Sequence, residues 1–257
     1  MAKFDPEWWE RMFDETYLIT DARSVCDEHL TCKEVDLLEH VLGLEKSFSI
    51  LDLCGGQGRH SLELSRRGFQ DVTVLDYSKF LVELGMERAK REGLNTRFIR
   101  KDARDTGLPS RSFTTIIVMG SSFGYFVDQN EDQKILNEAY RLLKPEGSFF
   151  LDLPDKEHLL KDFTPQSWHE ANDEILVCRQ RHLDGDILYT RELVVSKMRG
   201  LIRDETYSTR LYSTEKIMRM LVSAGFNTVD IQKDFFTYDR KGDYGCMTHR
   251  MIVIARK

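Results

Sequence analysis

The chain reads as an α/β protein: a doubly wound, mostly parallel seven-stranded sheet with an antiparallel C-terminal hairpin and an inserted β-strand cap. Three observations carry this reading. An apolar run over residues 48–53 holds Asp52 near its end, then opens through Cys54-Gly55-Gly56-Gln57-Gly58 onto a helix-forming segment. From residue 50 to 153, strand and helix signals alternate. After residue 165 that alternation stops and adjacent segments rich in β-branched and aromatic residues take over.

Taken in order, the first strand covers 50–53 and the helix after the glycine turn 59–67. The second strand, 72–75, ends in Asp76, 18 residues after Gly58. Ser78 is a suitable N-cap for a helix to Glu92, with Gly93 as its stop. A third strand over 97–100 leads into Asp102-Ala103. The fourth, 115–119, is nearly all apolar, as a strand buried on both faces should be. A helix over 128–143 closes at Lys144-Pro145-Glu146-Gly147, before a fifth strand over 148–153.

The insertion, 165–212, is expected to hold three antiparallel strands at 175–182, 187–197 and 203–212, with Asp184-Gly185 as a hairpin turn. A helix over 214–224, stopped by Gly225, then precedes a closing hairpin of 228–236 and 247–255. Residues 1–45 form a helical cap, and the whole chain, 1–257, reads as one domain.

Composition narrows the function. Hydrophobic residues make up 41% of the chain, enough for a core of this size. A net charge of −6 disfavours a nucleic-acid partner, whose phosphates ask for a basic field. No run is long and apolar enough to cross a membrane. The N-terminus lacks the apolar core of a leader. Five cysteines without metal-type spacing read as free thiols in a reducing cytoplasm, with no metal site; a homodimer is left open.

The glycine turn suits a ligand that needs close backbone approach. Asp52 at the strand end would repel a pyrophosphate and attract a ligand carrying an ammonium and a sulfonium, which points to S-adenosylmethionine rather than a dinucleotide. Ser61 also stands where the dinucleotide pattern needs a small apolar residue.

Over about residues 35–257 the chain resembles the class I S-adenosylmethionine-dependent methyltransferases. The matching motifs are Leu51-Asp52-Leu53-Cys54-Gly55-Gly56-Gln57-Gly58, Val74-Leu75-Asp76-Tyr77-Ser78, Arg100-Lys101-Asp102-Ala103 and Leu142-Leu143-Lys144-Pro145-Glu146-Gly147. Cys54 and Glu146 depart from it, each standing where the family commonly has glycine. The resemblance implies that Asp52 and the backbone of Gly55, Gly56 and Gly58 hold the methionine part. Asp76 would take the ribose hydroxyls, Tyr77 would pack on adenine, and Asp102 and the Ala103 N–H would meet its edge. Met119 and Gly120 would border the sulfonium, and Tyr17 would reach the methionine carboxylate.

The acceptor is less legible. The loop after strand four, residues 120–126, lacks the Asn/Asp-Pro-Pro-Tyr/Phe signature of base and amide methyltransferases. Phe123 and Tyr125 are expected at an acceptor pocket, with Trp9 and Phe13 above it; the same aromatics also suit packing under the cap. His169 and His249 are the candidate general bases, whereas His60 reads as a helix packing residue. Arg179 and Arg181 share a strand face, and with Arg210 and Tyr212 they would meet the substrate. The expected function is methyl transfer to an oxygen or nitrogen of a small molecule by in-line displacement. The alternatives are transfer to tRNA or a protein side chain, or a non-catalytic cofactor-binding module.

Overall fold

The computed structural model describes residues 4–235 and 249–257. The central sheet comprises β1 (Ser49–Leu53), β2 (Asp71–Asp76), β3 (Arg97–Arg100), β4 (Phe113–Val118), β5 (Leu143–Pro154), β10 (Thr228–Phe235) and β11 (Arg250–Arg256). They lie in the order β10-β11-β5-β4-β1-β2-β3, with β11 antiparallel to both its neighbours and the other pairs parallel.

Strand alternation divides the core between two faces. Ile50, Ile117 and Phe150 point to one face and meet Val35, Leu38 and Leu42 of α3 (Glu28–Leu42). Leu51, Ile116, Val118, Phe149 and Leu151 point to the other. There they meet Leu136 and Ala139 of α6 (Gln129–Leu142), and Ile217 and Leu221 of α8 (Thr214–Ala224). Local chemistry sets the helix ends. Ser78 Oγ accepts from Leu81 N to start α5 (Lys79–Glu92), and Gly93 ends it in the left-handed region. The segment 144–147, expected as a loop, lies inside β5 as an irregularity in its pairing with β4, with Glu146 at φ 62°.

The insertion is a second sheet of four strands, β6 (Gln166–Glu170), β7 (Ile175–Asp184), β8 (Ile187–Ser196) and β9 (Gly200–Arg210). The fourth strand, β6, went unread because five residues alternating exposed and half-buried give little apolar signal. A short 3-10 turn (Trp8–Glu10), α1 (Glu15–Thr20) and α2 (Ala22–Val25) precede α3. The helix α4 (Arg59–Arg66) follows β1, and α7 (Lys156–Lys161) follows β5. The expected closing hairpin is present as β10 and β11; the parts of that expectation at 236 and 247–248 lie outside the described residues. Among the described residues, no helix is long and apolar enough to cross a membrane.

Candidate active site

A cavity of about 230 Å³ opens over the carboxyl ends of the parallel strands, where open α/β sheets hold their ligands. Its floor begins with Asp52, fully buried at the end of β1. Ser61 Oγ donates to Oδ2 at 2.9 Å, while Oδ1 has no hydrogen-bond partner. Burial raises this carboxyl to about 7, with the Ser61 bond and Arg59 pulling the other way. A buried acceptor left open in this way calls for a donor from a ligand, best a cationic one. Gly55 turns above it, where a Cβ would lie 2.6 Å from the Asp52 carboxyl carbon, so the backbone passes closer than any side chain would allow.

At the tip of β2, Asp76 Oδ2 accepts from Gly56 N at 2.7 Å and Oδ1 from Ser78 N at 2.8 Å. These bonds lock the carboxylate across the glycine turn and leave each oxygen a second lone pair. Tyr77 follows, its hydroxyl donating to Glu10 at 3.1 Å and its ring meeting the edge of Trp9 at 4.8 Å. Trp9, expected over the acceptor, therefore sits on the Tyr77 side of the cavity. Asp102 is gripped by Arg104 through both oxygens at 2.6–3.0 Å, and Arg104 also reaches Glu131 and lies over the rings of Trp9 and Phe126. Burial opposes its charge, but Arg104 holds Asp102 below the ordinary carboxylate value. Its acceptor capacity is filled by Arg104, which the sequence did not suggest.

The loop after β4 forms the next wall. Gly120 N donates to Asp152 at 3.0 Å, and Ser121 takes φ 57° with its buried Oγ unpartnered. Gly124, at φ 92°, lies so close to β9 that a Cβ would be 2.8 Å from the Arg210 carbonyl; the two residues exchange a backbone bond of 2.7 Å. Tyr125 stacks on Phe13 at 5.8 Å and tilts against Trp8 at 5.0 Å. Burial pushes its phenol well above the ordinary value, so at neutral pH it is a hydrogen-bond donor and not a base. Above the loop, Phe13 packs edge-on to Tyr17 at 5.1 Å, and Trp8 meets Tyr207 of β9 at 5.5 Å. Tyr17, Asp21, Tyr207 and Thr209 complete the rim.

Of the residues expected here, Tyr17, Asp52, Gly55, Gly56, Asp76, Tyr77, Asp102, Ala103, Met119, Gly120, Trp9, Phe13, Phe123 and Tyr125 border the cavity. Gly58 lies behind it, heading α4 at φ 72° against Phe98 and Val74. The remaining expectations need correction. Tyr212 is core, its ring against Phe123 and its hydroxyl on Asp132 at 2.7 Å. Arg179 is engaged by Asp21 and Glu192, Arg181 by the Thr164 carbonyl and Ser167, and Arg210 by the Val127 carbonyl. None of the three arginines lines the cavity. His169 lies on β6 at the edge of the second sheet, away from the cavity. His249 stacks on His158 at 3.2 Å beyond the same cavity. Both fall away from the cavity for one reason: position along the chain carries no information on which element covers the site.

Sequence reading also missed a buried charge cluster under the site. Arg250 bonds to Asp152 and, at 2.8 Å, to Glu34, which also holds Arg59 and His60. Burial lowers His60 to about 4, so it stays neutral. Arg59 and His60 both reach the cavity wall. A Glu inside an otherwise amphipathic helix, Glu34, is the one signal that could have pointed to it. Among the described residues no cluster is arranged to hold a metal ion.

An acid-lined glycine turn between β1 and α4, three carboxylates along successive strand ends and an aromatic roof form a ligand cleft at the carboxyl edge of an α/β sheet, suited to a cationic ligand. Comparison with known proteins agrees. Residues 50–147 match the family model described as methyltransferase domain. The chain is 26% identical over 207 residues to the glycine/sarcosine N-methyltransferase of Halorhodospira halochloris, spanning 78% of this chain and 73% of that protein. It superposes on an S-adenosylmethionine-dependent methyltransferase of Clostridium acetobutylicum with a TM-score of 0.74, at 18% identity, over 94% and 96% of the two chains. It also superposes on the 1,6-didemethyltoxoflavin-N1-methyltransferase of Burkholderia thailandensis, bound to that substrate and S-adenosylhomocysteine, with a TM-score of 0.59 and 18% identity, over 100% and 92%. The chain has the class I methyltransferase fold and is an S-adenosylmethionine-dependent methyltransferase; S-adenosylmethionine is its cofactor.

Proposed function

We propose that this methyltransferase acts on an oxygen or nitrogen of an uncharged small molecule, by direct in-line displacement. The carrying observation is the wall opposite the floor, where Trp8, Phe13, Tyr125 and Tyr207 enclose the space beside Ser121, Ser122 and Thr209. Such a wall favours a flat, largely apolar body with one hydrogen-bonding group. Among the described residues, the arginines that would have received a carboxylate or phosphate are engaged elsewhere.

On the cofactor side, the open Asp52 Oδ1 would hold the methionine ammonium, with Gly55 and Gly56 allowing close approach. Tyr17 and Arg59, both at the wall, would face its carboxylate. Asp76 would accept from the ribose, Tyr77 and Trp9 would flank adenine, and the Ala103 N–H would meet its edge. Met119 and Gly120 would border the sulfonium. When bound, the cofactor supplies an electrophilic methyl group that needs no further activation. What remains for the protein is alignment and exclusion of water. Tyr125 keeps its proton and would orient the acceptor as a donor, and the unpartnered Ser121 Oγ would serve beside it. A neutral amine loses its proton after the methyl group arrives, so the lack of a histidine base on this wall among the described residues is compatible with turnover.

The test is incubation with methyl-labelled cofactor and separated pools of small metabolites, RNA and protein. Label in the small-molecule pool supports the reading; label confined to RNA or protein overturns it.

A further inference from the structure

Between the second sheet and the N-terminal segment runs a chain of five charged side chains that methyl transfer does not directly use. Arg179 of β7 is buried; its Nε donates to Glu192 Oε2 at 2.9 Å and its Nη2 to the two oxygens of Asp21 at 3.1 and 3.0 Å. Arg203 of β9 is buried too, with Nη1 3.6 Å from Glu192 Oε1 and Nη2 donating to Asp14. Glu192 of β8 is fully buried between them. The register makes this arrangement follow from alternation: Arg179 pairs across with Glu192, and Val194, two residues on, pairs with Arg203, so all three charges share one face.

The other ends of the chain flank α1. Asp14 is its N-cap, accepting from Thr16 N at 2.8 Å and Tyr17 N at 3.2 Å, and Asp21 is its C-cap. Six residues are too few for a helix to hold itself in water. The bonds from the main-sheet side to this segment, Ser78 Oγ to the Phe13 carbonyl and Gln57 Nε2 to the Val25 carbonyl, both 2.7 Å, and Tyr77 Oη to Glu10 at 3.1 Å, fall outside α1. Both ends of α1 are thus held from the second sheet. Tyr17 and Asp21 border the cavity; Arg179, Arg203 and Glu192 do not.

We propose that Arg179 and Arg203, bridged by Glu192, are positioning residues: they set the placement of α1 and so of Tyr17 against the cofactor, making cofactor binding and the seating of the second sheet one coupled event. This rests on the cofactor assignment of Tyr17 above. Since coupling is reciprocal, cofactor binding also steadies β9, whose Tyr207 and Thr209 face the acceptor space.

Removing one member alone would strand a buried charge, so the test removes charges in pairs. The double variant Arg179→Met with Glu192→Gln is expected to weaken S-adenosylhomocysteine binding, measured by calorimetry, by about tenfold. Amide hydrogen exchange over residues 15–20 should quicken in the same variant. Asp21 is half-buried and its loss leaves Arg179 paired with Glu192, so Asp21→Asn strands no charge and keeps the second sheet intact; it should give a similar loss, and the triple variant should lose no more than either. Arg191→Gln, which breaks a pair with Asp204 (2.6 Å), should change neither readout. Wild-type affinity and exchange in the double variant would overturn the proposal, as would losses that simply add. Loss in Asp21→Asn alone would make Asp21 a direct ligand contact and overturn it too. If the double variant does not fold, Arg203→Met with Asp14→Asn applies the test from the other end of α1. Failure of the wild-type protein to bind would instead count against the cofactor assignment.

Discussion

Below the cavity, Asp52 and Asp76 are carried by strands whose register is set by parallel ladders, and Asp76 is further locked by two backbone N–H groups. Above it, Trp8, Phe13, Tyr125 and Tyr207 come from three separate segments and are held by ring contacts and ion pairs. The floor is positioned by backbone geometry and changes little with side-chain identity elsewhere. The roof is positioned by side chains, so each of its residues depends on partners distant in sequence. A family can therefore keep its cofactor and change its acceptor by altering the roof alone.

That contrast is open to breaking. The largest effect is expected on the floor: Asp76→Ala should weaken S-adenosylhomocysteine by about a hundredfold, since the glycine turn and, on the proposed assignment, two ribose hydroxyls lose a charged acceptor. Asp102→Ala should cost only a few-fold, because Arg104 already occupies that carboxylate. Equal losses in the two variants, by calorimetry, would show that Arg104 yields to the ligand. On the roof, Phe13→Ala should lower kcat/KM about tenfold while the cofactor Kd stays within about threefold. A roof variant that loses cofactor and turnover in parallel would erase the distinction.

The pH dependence sharpens it further. Asp52 stays protonated up to about 7 in the folded protein, against an ordinary value of 3.8, so affinity for the cofactor ammonium should rise between about pH 6 and 8 and level off above. Asp52→Asn should flatten that profile. Folding responds with the opposite sign: the native state holds this proton where the unfolded chain has released it, so ligand-free stability falls as pH rises from about 4 to 7. Asp132, which burial also raises to about 7, adds to the same slope. Thermal unfolding across that window checks it. The smallest effect lies far from both walls. Glu146→Gly relieves a positive φ on an exposed residue and should raise stability by about 0.5–1 kcal/mol.

The same division explains what could be read in advance. The glycine turn, Asp52, Asp76 and Asp102 were legible because local chemistry determines them: an apolar run, a turn and an acid within a few residues. The parallel pairing of β1 to β5 followed from the alternation of elements. His169, His249, Tyr212 and the three arginines were misplaced because their surroundings are set by long-range packing, which a period of two along a strand does not encode. Trp9 lies on the Tyr77 side of the cavity for that reason: its neighbours Tyr77 and Phe126 lie far along the chain. Arg104 shows a different limit. It sits two residues from a motif position, yet nothing in its spacing indicates that it would fill the acceptor sites of Asp102.

The cluster around Arg250 bears on how the chain reaches its folded state. Arg250 is separated by 98 residues from Asp152 and by 216 from Glu34, and β11 supplies the antiparallel neighbour of β5. During synthesis the first five strands emerge well before that arginine. Until it arrives, β5 presents an unpaired edge, and two carboxylates destined for burial lack their shared cation. The β5 edge and the two carboxylates are completed together only by the last strand, through the β11 ladder and Arg250. Such a long-range closure slows folding and leaves an interval in which the β5 edge is exposed to association with other chains.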